Sequence, residues 1–153
     1  MTTSWDVLGQ LIENTSMPEN IKEKIIIMGK VLFKETHHLS EKMKLITIIT
    51  TASLTKFEIC ENAYLDYAES AGLSNSFIRS LIDNMKEYSI FEKNEMAIIQ
   101  IVTEITTNSS VFPSTLEYAR KHFTQKEIEY IIFLSGYINF IAKIYNVEMT
   151  AKY

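Results

Sequence analysis

The sequence predicts a single all-α domain of about eight helices. Three observations carry that expectation. Only four Gly and two Pro interrupt 153 residues, too few breakers for a turn-rich β architecture. Apolar residues recur at spacings of three and four along most of the chain. Residues that start helices, such as Ser40, Ser74, Pro113 and Thr124, stand directly before those stretches. One domain over residues 1–153 fits this length, and it can bury roughly 68–70% of its unfolded surface.

In chain order, Ser4 is expected to cap a first helix carrying Trp5, Leu8, Leu11 and Ile12 on one side. Pro18 opens a second, where its missing N–H costs nothing. Its spacing predicts a buried face of Ile21, Ile25, Met28, Val31 and Leu32. Ser40 caps a third helix whose segment Leu45 to Ala52 has no polar side. Such a helix is either central in the domain or covered by another subunit. A fourth runs from Lys56 to Ala71 and stops at Gly72, where a left-handed residue is easiest. The fifth follows Ser74, with Phe77, Ile78, Leu81 and Ile82 inward. The sixth spans Glu92 to Asn108, and Pro113 opens a short seventh. Thr124 and Glu127 form a capping box for the strongly apolar eighth, Ile128 to Val147.

Composition excludes several classes of function. With 46% hydrophobic and 22% charged residues the chain is an ordinary globular one. A net charge of −4, without any cluster of Lys or Arg, argues against a nucleic-acid surface. The single Cys excludes an internal disulfide and a multi-Cys metal site. His37 and His38 are adjacent rather than one helical turn apart, so they and His122 are expected to be exposed or capping, and no metal or other cofactor is expected. The N-terminus lacks the pattern of a signal peptide, and charged or polar residues break every apolar stretch before the ~18 residues of a membrane span. A cytoplasmic protein without a membrane partner is expected.

Two stretches carry a resemblance. The first is Lys56-Phe57-Glu58-Ile59-Cys60-Glu61-Asn62-Ala63, followed by Ala68-Glu69-Ser70-Ala71-Gly72-Leu73-Ser74. The second runs from Phe91-Glu92-Lys93-Asn94-Glu95 through Phe112 to Tyr118 and Phe123 to Ile128, and on through Gly136-Tyr137-Ile138-Asn139 to Lys143 and Asn146. In order and spacing they resemble the carboxymuconolactone decarboxylase family, which includes the alkylhydroperoxidase-D-like proteins, over residues 18–149. The resemblance implies that family's helical fold and a homo-oligomer, a trimer or hexamer.

It also implies where chemistry would lie. Peroxidase-type members carry C-x-x-C-x-x-x-H with a Glu one helix earlier, because two thiols on one helix face exchange a disulfide while His and Glu move protons. Those positions correspond here to Thr55, Glu58 and Asn62, with the upstream Glu at Met43 or Glu41. Members of the aromatic-Glu-x-x-x-His kind keep a Glu–His pair, of which this chain has Glu58 and an untitratable Asn62. The late Asn-x-x-Asn-Arg element corresponds to Asn139 and, with Lys for Arg, Lys143.

Helical geometry separates Cys60 from that set. At about 100° per residue, Thr55, Glu58 and Asn62 lie within roughly 60° of one another, and Cys60 points away. It falls instead in the stripe Phe57, Cys60, Tyr64, Tyr67, Ala71, where a free Cys behaves as a small hydrophobe. The late aromatics Tyr130, Phe133, Tyr137, Phe140 and Tyr145 read as core or interface. The expected function is therefore small-molecule binding in a helical oligomer without thiol peroxidase chemistry. The alternative is a lyase- or isomerase-like enzyme on a small carboxylated substrate, using Glu58 with Asn139 and Lys143. A one-Cys thiol peroxidase acting through Cys60 ranks third.

Overall fold

Eight α-helices order the described residues, 2–35, 38–82 and 88–151 of a computed structural model, and no strand occurs among them. They are α1 (Ser4–Glu13), α2 (Glu19–Lys30), α3 (Glu41–Leu54), α4 (Glu58–Ser70), α5 (Asn75–Ile82), α6 (Lys93–Asn108), α7 (Pro113–Ala119) and α8 (Gln125–Ala151). A π-helical turn, Val31–Glu35, extends α2, and a 3₁₀ turn, Tyr88–Ile90, precedes α6. His37 lies outside the described residues.

The helix α3 is the axle of the domain. Every residue from Lys44 to Ala52 is buried, because α4, α5, α6 and α8 pack around it. Of the two explanations for an all-apolar helix, the first therefore holds: α3 is central within one chain. Two of its threonines spend their hydroxyls inside the helix, Thr47 donating to the Met43 carbonyl (2.9 Å) and Thr51 to that of Thr47 (2.7 Å). Thr51 also meets the Ser135 hydroxyl of α8 at 3.0 Å. At its start the Ser40 hydroxyl accepts from the Met43 amide, as the sequence predicts.

Termination of α3 was not legible. Lys56 adopts a left-handed backbone (φ 56°). Its amide donates to the Ser53 carbonyl and that of Phe57 to the Ala52 carbonyl (2.9 Å), a Schellman closure with lysine where glycine is usual. The helix α4 ends in the same way at Gly72 (φ 95°), where glycine was expected. The capping box of Thr124 and Glu127 also forms.

Three expectations are corrected. Thr3, not Ser4, caps α1: its hydroxyl accepts from the Asp6 amide and the Asp6 carboxylate accepts from the Thr3 amide (2.7 Å). Pro18 precedes α2 as its cap rather than opening it. Above all, α2 is rotated about its axis, with Ile25 buried and Leu32 half-buried as expected but the rest of the face displaced. Ile21, Met28 and Val31 are exposed, and the buried residues are Lys22, Ile25 and Gly29. The cause is polar and steric together. Lys22 reaches in to donate to the Glu13 carbonyl at the end of α1 (3.1 Å), where a cation meets the negative end of a helix. Gly29 lies under the Trp5 ring, and Tyr137 donates to the Ile25 carbonyl (2.6 Å). Lys44 acts like Lys22, donating to the Phe33 carbonyl at 2.8 Å inside the π-helical turn.

The last helix corrects a fourth. By length and composition alone α8 could cross a membrane, with a mean hydropathy of 1.2 over its most apolar window. Its buried side, including Ile131, Leu134, Ile138 and Ile141, instead packs on α3 and α6. Its other side leaves Phe133, Phe140 and Val147 exposed.

Candidate functional site

The first stretch of the resemblance begins at the corner between α3 and α4. Phe57 is buried there and its ring meets that of Tyr145 at 5.3 Å. The Asn146 side-chain amide donates to the Thr55 carbonyl at 2.9 Å, so the far half of α8 clamps the corner. Asn146 belongs to the late stretch of the resemblance, which is the signal that could have singled it out.

Around this clamp the candidates separate. Glu58, the first residue of α4, and Asn62 one turn later are both exposed. Cys60 is wholly buried, on the opposite side of the helix, as the stripe predicts. That stripe continues through Tyr64 to Ala68, while Tyr67 is half-buried and Ala71 exposed. Burial pushes the Cys60 thiol well above its ordinary value, and the charge of Glu61 adds to the shift. Asn139 and Lys143 do come together, the ammonium donating to the amide oxygen at 2.9 Å, on a surface turn of α8. Glu41, the nearer acid upstream, accepts from the Tyr67 hydroxyl (2.8 Å). No cluster of groups suited to a metal occurs among the described residues. His38 is exposed and stacks on Tyr130, 5.3 Å between ring centres.

Of four clefts on the described surface, none is lined by Glu58, Cys60, Asn62, Asn139 or Lys143. The most enclosed, about 460 Å³, lies between α3, α5 and α6. Leu54, Leu81, Met96 and Ile99 supply its apolar wall. Its polar groups are mostly occupied. Ser53 donates to the Ile82 carbonyl (2.9 Å) and Thr103 to that of Ile99 (2.7 Å). The buried Glu104 carboxylate accepts from the Thr115 hydroxyl (2.6 Å) and the Phe112 amide (2.9 Å). Thr50 differs: it is buried, lines the cleft and its hydroxyl has no partner. A buried hydroxyl without a partner is unfavourable unless something else meets it. Sequence reasoning missed Thr50 and Glu104, since one lies within an apolar run and the other's partners lie beyond its own helix.

A crystal structure is similar over most of the chain. It is an Agrobacterium tumefaciens protein of unknown function, proposed to be the antioxidant defence protein AhpD. The superposition has a TM-score of 0.75, with 18% identity, and covers 84% of this chain and 87% of that one. The fold is AhpD-like. At that identity the AhpD-like likeness concerns architecture and not activity. No protein-family model matches the sequence, and no curated protein does either.

Proposed function

We propose that this AhpD-like chain is a diverged relative of the carboxymuconolactone decarboxylase family that binds a small molecule and lacks thiol peroxidase activity. It would act in the cytoplasm as a homo-oligomer. The observation that carries the reading is the complete burial of Cys60, the one thiol in the chain. A peroxidatic thiol must be accessible and must ionise, and burial opposes both. On the family resemblance, the positions of the redox pair and its His correspond to Thr55, Glu58 and Asn62, so no second thiol or imidazole assists. The cleft beside α3 supplies a partly enclosed volume in the range of small-molecule sites, with a mainly apolar wall. The exposure of Glu58 weighs against general acid–base chemistry at the α3–α4 corner.

The test is hydroperoxide consumption by the wild type and by Cys60→Ser, with a thiol reductant supplied. Neither protein should turn over. Wild-type turnover abolished by Cys60→Ser would overturn the reading. Native mass spectrometry of the purified protein addresses the cleft: a retained small molecule should be lost on Ile99→Trp, which fills it.

A further inference from the structure

In the middle of α8 stands a glycine for which the chain itself supplies no reason. A β-carbon on Gly136 would meet nothing within 4 Å, and its φ is not positive. Glycine inside a helix nevertheless costs about 1 kcal/mol relative to alanine. Around it the outer side of α8 is built on a spacing of seven. Phe133, Phe140 and Val147 form one row, 54%, 49% and 68% exposed. Glu129, Gly136 and Lys143 form a second, all exposed. At about 100° per residue the two rows span roughly 80° of the helix. A spacing of seven is the period that paired helices use, here with one row apolar and the other carrying a charge at each end.

The second row is also symmetric in charge: Glu129 stands as far before Gly136 as Lys143 stands after it. We infer that α8 is the contact between two copies of this chain, crossing antiparallel on a two-fold axis at Gly136. Both charged residues lie about 10.5 Å from Gly136 along the helix, so an antiparallel copy sets Glu129 opposite the partner's Lys143, twice. Among the described residues these two bond only to neutral neighbours, Glu129 to Gln125 (3.2 Å) and Lys143 to Asn139 (2.9 Å). Neither charge is neutralised until the pair forms. Glycine at the crossing lets the axes approach to the near end of the roughly 8–10 Å range of helix packing.

The aromatic row then has a place to go. Between α2 and α8 runs an apolar groove of about 940 Å³, with Ile25 and Tyr137 in its floor and the exposed Ile21 and Met28 on its far wall. Phe133 and Phe140 of each copy enter the groove of the other. The contact uses the same patch on both copies and closes after two, leaving no repeating edge. A lipid surface fits less well, because Glu129 and Lys143 sit on the face that would enter it.

The inference rests on the homo-oligomer in the proposed function and names its surface. The test is light scattering after size exclusion, with a cross-link. The wild type should be a dimer or a hexamer, which contains such two-folds. Phe140→Glu should halve a dimer, or reduce a hexamer to trimers, with an unchanged circular dichroism spectrum. Lys143→Glu should weaken pairing about tenfold by facing like charges, and Glu129→Lys/Lys143→Glu should restore most of it. Gly136→Cys should oxidise to a disulfide-linked dimer, because the two-fold brings the introduced thiols together. A monomeric wild type, or one that associates only with vesicles, overturns both the interface and the oligomer. A lone trimer, or an oligomer indifferent to Phe140→Glu that does not cross-link through position 136, overturns this interface alone.

Discussion

The Trp5 indole fills the space that a side chain on Gly29 would need: a β-carbon there would lie 2.1 Å from its Cζ3 and 2.6 Å from the Tyr137 hydroxyl. Alanine normally favours a helix over glycine by about 1 kcal/mol, but this overlap forces a buried ring and the α1–α2 contact to shift. Gly29→Ala should therefore destabilise the protein by about 1–3 kcal/mol, read from urea unfolding. At Gly136, where a β-carbon meets nothing, the same change should leave the fold of the single chain unharmed.

Glu104 fastens α7 to α6 through the Thr115 hydroxyl and the Phe112 amide. Glu104→Ala strands both donors and should cost about 2–3 kcal/mol, the usual scale for hydrogen bonds to a charged group. The loss should be local. Amide exchange over Pro113–Ala119 should accelerate more than over α3, and uniform acceleration would show that the carboxylate is no latch.

Alkaline pH should loosen the contact between α3 and α4. Burial, followed by the hydrogen bond to Glu41, pushes the Tyr67 hydroxyl up to about 12 from an ordinary value of 10.0. Because the folded chain holds this proton more tightly, its contribution is complete below pH 10.0 and is lost as pH rises toward 12. In Tyr67→Phe, the fall in stability between those values should be smaller. An unchanged pH profile would detach the effect from this residue.

Cys60 should react with an aromatic disulfide reagent only when the domain opens. Its rate of modification should follow global unfolding and rise steeply in denaturant. Rapid labelling in buffer would contradict the burial that separates this chain from a thiol enzyme.

How much of this was legible depended on which interactions are local. Helix starts at Ser40, Ser74 and Thr124 are written in neighbouring residues, and the hydroxyls bond as the pattern predicts. The stop at Gly72 was equally plain, whereas Lys56 takes the same conformation with nothing in its residue type to announce it. The rotation of α2 was lost because apolar periodicity counts lysine as outward, and Lys22 points inward to a carbonyl of another helix. The burial of Cys60 followed from its place in a stripe. The cleft did not, since Thr50 and Glu104 come to line it only once α3, α5 and α6 have packed.

Because residues 44–52 of α3 are buried, a side chain there, away from the cleft that Thr50 lines, cannot grow without displacing a neighbour. What the fold demands of residues 44–52 is a set of shapes and volumes rather than particular chemistries, with Thr47 and Thr51 admitted because their hydroxyls bond within the helix. Divergence in such a domain is steered outward, to the exposed sides of α2, α4 and α8. A chain can thus drift far in sequence, keep its axle, and acquire a new use on its rim.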